Sequence, residues 1–163
     1  MPAARLSQPL TIDDMLLYLL WTIQANAGRA VVQLCETEFG VSRREWRVLA
    51  HLAGREGLQP SELALRTGLD RARTSRALTA LVQKRLVQRI PRPGNRREVM
   101  LQLTDDGRAL YARLLPRVAD VQSQLLSVLG EQEVDQLSDM LGRLALQARA
   151  MRASAPLSDA DDE

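Results

Sequence analysis

The chain has 163 residues, of which 45% are hydrophobic and only 3% aromatic, so it can form one domain with a core of Leu, Val and Ala. The single cysteine excludes an internal disulfide framework. No apolar run could span a bilayer and the N-terminus lacks a signal-peptide pattern, so we expect a cytoplasmic protein with no membrane partner. One His and one Cys support neither a metal site nor a catalytic triad, and no glycine-rich phosphate loop is present. We therefore expect no enzyme activity and no bound cofactor.

The net charge of +2 hides a strong asymmetry along the chain. Residues 66–97 contain ten basic side chains and one acid, Asp70, whereas four acids lie in the last five residues. Of the 22 basic residues, 21 are Arg. A local basic patch on a modestly charged protein indicates a polyanionic partner.

Apolar spacing predicts that the N-terminal third is largely helical. After a flexible arm over residues 1–9, one long helix is expected over residues 11–38, ending at Gly40. At about 1.5 Å per residue it would be roughly 40 Å long, which favours a partner subunit that covers it. Ser42 and Glu45 have capping-box spacing and begin a short amphipathic helix that ends near Gly54.

The next segment has the pattern of a helix-turn-helix. A short helix over Ser61–Thr67 is followed by a turn at Gly68, and Asp70 then caps a second helix that runs to about Arg85. On this second helix one face is apolar and the opposite face carries Arg73 and Arg76, which is the arrangement of a recognition helix. Arg71 projects closer to the core-facing side.

A basic β-hairpin and two helices complete the chain. Residues 86–90 and 98–103 alternate like strands around a turn at 91–95, which predicts a wing. Thr104 caps a helix to about Leu129, a last helix covers 131–151, and residues 152–163 read as a disordered acidic tail. The predicted fold is mainly α: a winged helix-turn-helix with a two-stranded β wing over residues 41–103, and a helical dimerisation region over 10–40 and 104–151.

The segment from Gly94 to Gly107, GNRREVMLQLTDDG, resembles the wing motif of the MarR family of transcription regulators. Arg97 occupies the position of the motif's arginine, while Asn95 stands where the family usually has Asp, so a hydrogen bond would replace an ion pair there. Residues 70–78 resemble the family's recognition helix, with Arg76 at its usual basic position. The resemblance covers roughly residues 10–150. It implies a triangular homodimer whose first and last two helices pair the subunits.

The resemblance also implies how such a dimer would bind DNA. Two recognition helices would enter successive major grooves of a pseudo-palindromic operator, and the wings would reach the flanking minor grooves. The candidate DNA-contacting residues lie on the two helices and the wing: Ser61, Arg71, Arg73, Thr74, Ser75, Arg76, Arg92, Asn95, Arg96 and Arg97. An arginine can contact either a base edge or a phosphate, and the sequence does not distinguish the two.

Many relatives bind a small aromatic acid or phenol between the dimerisation region and the DNA-binding lobe, and release DNA when they do. Candidate residues for such an effector are Tyr18, Trp21, Trp46 and His51. Tyr18 and Trp21 could instead lie in the dimer seam, Trp46 in the core, and His51 on the helix surface or in the core. Cys35 lies on the apolar stripe near the end of the first helix and is expected to be a buried small hydrophobe rather than a redox sensor.

These patterns together favour a homodimeric repressor that binds double-stranded DNA and responds to a small aromatic carboxylate or phenol. The alternative is a helical module that binds protein partners, with an incidental basic hairpin. Salt separates the two, because DNA binding weakens steeply as salt rises through counterion release.

Overall fold

A computed structural model describes residues 5–55, 57–92 and 94–154, with the side chains of Arg96, Arg97, Ala153 and Ser154 outside the description. The described part contains six α-helices and one two-stranded antiparallel sheet. The helices are α1 (Leu16–Gln33), α2 (Arg43–Ala53), α3 (Pro60–Thr67), α4 (Arg71–Gln83), α5 (Asp105–Leu126) and α6 (Glu131–Ser154). The strands are β1 (Val87–Arg92) and β2 (Asn95–Leu103). The predicted order of elements and the fold class are confirmed.

The single long helix predicted over residues 11–38 is wrong in detail. Met15 has extended backbone angles and separates a 3-10 turn, Ile12–Asp14, from α1. The Asp14 carboxylate accepts hydrogen bonds from the backbone N–H groups of Arg5, Leu10 and Thr11, and these bonds lower its pKa. After α1 the chain widens into a π-helical turn, Leu34–Glu38.

The helix-turn-helix is built from local capping interactions, as predicted. Ser42 and Glu45 form a capping box at the start of α2, with the Glu45 N–H donating to Ser42 Oγ at 3.2 Å. Asp70 Oδ1 accepts from the Arg73 N–H at 2.6 Å and begins α4. Gly68 makes the turn between α3 and α4 with φ +63°, a left-handed conformation that glycine adopts without a steric cost. These caps fix where α4 starts relative to α2 and α3.

The wing extends further at its tip than the sequence pattern indicates. β1 runs to Arg92 and β2 starts at Asn95, so the strands approach within two residues of each other along the chain. Gly94 has φ +82° and makes the turn. At the base of the hairpin, Leu58 forms an isolated antiparallel bridge with Leu101 of β2. The Leu101 N–H donates to the Leu58 carbonyl at 2.9 Å. That bridge ties the wing to the segment between α2 and α3.

The core lies where α2, α3 and α4 meet the base of the wing. Its fully buried members are leucines and small hydrophobes, including Leu49, Leu52, Leu63, Leu81, Leu101 and Leu103. Leu114 of α5 is also fully buried in this cluster, and Leu110, Tyr111 and Val118 pack against it. The first turns of α5 therefore fill the core of the lobe, although the sequence pattern assigned the whole helix to dimerisation.

The chain forms two compact units, one up to Gln122 and one from Ser123 onward. The second contains the end of α5 and the 24-residue α6, which has no buried residue among those described. Its large apolar side chains, including Met140, Leu141, Leu144 and Leu146, are exposed. Helix α6 ends at Ser154 rather than at Met151, and the rest of the predicted acidic tail lies outside the described residues.

None of the described helices combines the length and the apolar character that crossing a membrane requires.

Candidate nucleic-acid interface and effector cavity

Helix α4 buries one face and exposes the other, as a recognition helix must. Ala77, Leu78 and Leu81 are buried, whereas Arg73, Ser75 and Arg76 are exposed. Arg71 is also exposed, although helical spacing places it on the side of Leu78 rather than on that of Arg73 and Arg76. As the first residue of the helix it lies beyond the turns that pack on α2 and α3. The outer face of α4 therefore presents Arg73 and Arg76, and Arg71 is exposed at the start of the helix on another side.

Thr74 does not belong to the exposed set. It is 3% exposed, and its hydroxyl donates to the Asp70 carbonyl at 2.9 Å. Its side chain therefore supports the first turn of α4 and is not available for a partner. We leave it out of the proposed DNA contacts.

Arg73 is held by the residue that caps the helix. Its Nε lies 3.1 Å from Asp70 Oδ2, while the backbone N–H of Arg73 donates to the other carboxylate oxygen. Arg76 Nε donates to the Ala72 carbonyl at 3.4 Å, a long bond within the same helix. The cap thus restricts Arg73, and Arg76 keeps greater freedom.

An exposed groove of about 490 Å³ lies between α3, α4 and the wing. It is lined by several predicted residues, Ser61, Arg71 and Ser75, and by two that the sequence argument missed, Arg89 and Val99. Arg89 is exposed on β1 although it pairs with the buried Leu101 of β2; because paired residues share a face of the sheet, strand alternation alone would have placed it inward. Arg71 of α4 and Arg89 of the wing therefore line the same groove and give it positive charge.

At the wing tip, Glu98 organises the surrounding polar side chains. It accepts hydrogen bonds from Arg92, from the Asn95 amide at 2.9 Å and from the Gln59 amide at 3.0 Å. The hydrogen bond and negative charge of Glu98 raise the pKa of Arg92. Asn95 therefore contributes a hydrogen bond to the wing, and that bond goes to Glu98. The side chains of Arg96 and Arg97 lie outside the described residues.

Three of the four predicted effector residues line two neighbouring cavities. Trp46 and His51 line one of about 380 Å³, together with Arg43, Arg47 and Val118. Trp21 lines another of about 530 Å³, which Arg43 also lines. Tyr18 lines neither, but its ring stacks on Trp21 at 5.6 Å between centroids. Arg43 is thus common to both cavities.

The Arg43 side chain of α2 lies against α1 at Gly28. Gly28 is buried, and a Cβ there would lie 3.2 Å from a terminal guanidinium nitrogen of Arg43. Arg43 and Arg47 were missed by the sequence argument, although they are four residues apart and so lie on one face of α2 with Trp46. The indole of Trp46 is 9% exposed and stacks on Tyr111 at 5.5 Å, forming an apolar wall.

His51 and Cys35 differ in what they can do chemically. Burial and the charges of Arg47 and Arg66 lower the pKa of His51. Cys35 is fully buried, and burial together with Glu36 raises the pKa of its thiol. A buried cysteine with a raised pKa is a poor nucleophile, which agrees with the prediction of a small core residue. The described residues contain no cluster of three metal-ligating side chains.

Comparisons with known proteins match this geometry. The MarR family model matches residues 39–98. The regulator PecS of Dickeya dadantii is 31% identical over 111 residues, covering 66% of this chain and 67% of PecS. The regulator FarR of Neisseria gonorrhoeae is 30% identical over 105 residues, covering 64% of this chain and 72% of FarR.

Solved structures show the same fold. The repressor CouR, bound to a 23-mer DNA duplex, has a TM-score of 0.73 and 30% identity over 82% of this chain and 94% of its own. A MarR mutant from Escherichia coli in complex with operator DNA has a TM-score of 0.70 and 25% identity over 79% of this chain and 92% of its own. These relatives are transcription regulators and not enzymes. On this evidence the chain belongs to the MarR family of DNA-binding transcription regulators.

Proposed function

We propose that the chain is a homodimeric, cytoplasmic repressor that binds a pseudo-palindromic DNA operator and leaves it when a small aromatic carboxylate or phenol binds. The observation that carries the proposal is the exposed arginine face of α4 beside a basic wing. Arg73 and Arg76 would enter the major groove, and a bidentate pair with guanine would give roughly 1–3 kcal/mol of base discrimination.

The dimer is supported by apolar surface that one subunit leaves exposed. Leu17 is 80% exposed and Trp21 60% on α1, and Val128 is 84% exposed just before α6. A helix of 24 residues with no buried position among those described gains little stability from its own chain. Burying these stripes against a second copy would give each subunit the core that its long helices lack.

The effector class follows from the chemistry of the cavity beside Trp46. An indole wall favours an aromatic ring, and Arg43 and Arg47 provide positive charge for a carboxylate or phenolate. Burial and, after it, the charges of Arg47 and Arg66 lower the pKa of His51, so its imidazole is held toward the neutral form beside these cations. A volume of about 380 Å³ suits a small ligand.

The test is DNA binding by the intact protein, using duplexes that it selects from a randomised library. We expect a two-fold symmetric consensus, tight binding in the presence of excess competitor DNA, and release by at least one compound from a panel of aromatic acids and phenols. Arg43→Gln should bind the same duplex but respond less to that compound. Failure to enrich any consensus would reject the repressor and favour the protein-interaction module.

A further inference from the structure

A groove of about 420 Å³ separates the N-terminal turn of α2 from the outer face of α4. It is lined by three arginines, Arg44, Arg73 and Arg76, and by the small residues Ala77 and Ala80. Arg44 lies outside the helix-turn-helix helices and the wing. We propose that this groove receives a phosphate of the DNA backbone and that Arg44 contacts it. This inference rests on the proposed function, since it adds a contact to the same DNA-bound state.

The charge in the groove is positive and largely uncommitted. Neither Arg44 nor Arg76 forms an ion pair with any residue that the structure describes, whereas Arg73 pairs with Asp70. The acid in the groove, Glu45, is neutralised because both of its carboxylate oxygens accept from Lys84 Nζ, at 3.0 and 2.9 Å. An anion entering the groove therefore meets guanidinium groups without an opposing free carboxylate.

The shape of the groove also suits a phosphate. Ala77 and Ala80 lie where longer side chains would fill the space between the helices. A guanidinium matches a phosphate through two parallel N–H···O bonds, so Arg44 and Arg76 on opposite walls form a suitable pair. Because α2 stands behind the recognition helix, a contact from Arg44 adds affinity without reading sequence.

The experiment measures the salt dependence of binding for the full-length dimer, its Arg44→Gln variant and a control, Arg55→Gln. Arg55 is exposed just beyond the opposite end of α2. Each protein is titrated with its selected operator and with a random-sequence duplex. Circular dichroism and gel filtration check that fold and oligomeric state are unchanged.

We expect Arg44→Gln to weaken binding to both duplexes by the same factor, about tenfold or more at 0.1 M salt. The slope of log K against log salt should become shallower by about 1.8, for two lost phosphate contacts per dimer. The ratio of operator to random affinity and the Arg55→Gln values should stay unchanged. Unaltered affinity and slope in Arg44→Gln would overturn the inference while leaving the proposed function intact; a parent protein without operator preference would instead refute the function.

Discussion

Lys84, the single lysine of the chain, helps to position the recognition helix. Its replacement tests how much its contacts stabilise the fold. Lys84 directly follows α4, and its ammonium donates to the Gly40 carbonyl at 2.8 Å and to both oxygens of Glu45. An ammonium has three donors and meets three acceptors here. The planar fork of an arginine does not match this arrangement, which explains a lysine in a chain with 21 arginines.

The magnitude of the effect follows from the burial of Glu45, whose side chain is 6% exposed, against 40% for Lys84. At 2.9 Å the attraction is about 6 kcal/mol with an effective dielectric constant of about 20, and desolvation offsets much of it. Lys84→Met leaves the buried carboxylate of Glu45 without its cationic partner. We expect it to lower the free energy of unfolding by about 2–3 kcal/mol, below the range for fully buried pairs because Lys84 is partly exposed.

Thermal denaturation at fixed protein concentration measures this change, and the melting temperature should fall by about 5–10 °C. The control is the double variant Glu45→Gln/Lys84→Met, in which a neutral amide can still accept from the Ser42 N–H that Glu45 now binds. It should recover part of the loss, because no buried charge remains unpaired. If the double variant were no more stable than Lys84→Met alone, the loss of stability would not come from an unpaired charge on Glu45.

Two further predictions concern the start of α5 and the effector cavity. A Cβ at Gly107 would lie 2.0 Å from the Leu86 carbonyl oxygen, so Gly107→Ala should destabilise the fold by about 3 kcal/mol in urea unfolding, whereas Asp106→Ala at the exposed neighbouring position should cost less than about 1 kcal/mol. A small effect at Gly107 would mean that α5 does not pack on Leu86 in this way. The pKa of His51 is lowered below 6.5 in the folded state. As the pH falls, the unfolded chain therefore binds a proton at His51 at a higher pH than the folded chain does. Stability that is fully present above pH 6.5 should therefore be lost as the pH falls through the folded pKa, and His51→Gln should flatten this part of the stability profile; parallel profiles for the two proteins would contradict the shift.

Local signals explain why much of the fold was predictable. The caps at Ser42, Asp70 and Thr104 depend on hydrogen bonds within three residues, so their spacing is visible in the sequence. The turn at Gly68 and the alternation of the wing are likewise local. The burial of one face of α4 follows from its apolar periodicity.

The features that were missed depend on contacts that helical periodicity does not encode. The break at Met15 accompanies the capture of Arg5 and Leu10 by Asp14, and the π-helical turn ends where the Val41 N–H reaches back to the Cys35 carbonyl. Helical periodicity contains no information about either. The two cavities that share Arg43 and the bond network of Lys84 also form only when separate helices pack.

If α4 reads DNA through its exposed arginines, removing those side chains should abolish sequence preference. The intact dimer and its Arg73→Ala/Arg76→Ala variant are titrated by fluorescence anisotropy with the selected operator duplex and with a random duplex. We expect the variant to lose the preference for the operator while gel filtration shows the same oligomeric state. A variant that keeps the operator preference of the parent would refute the role of α4 as the recognition helix.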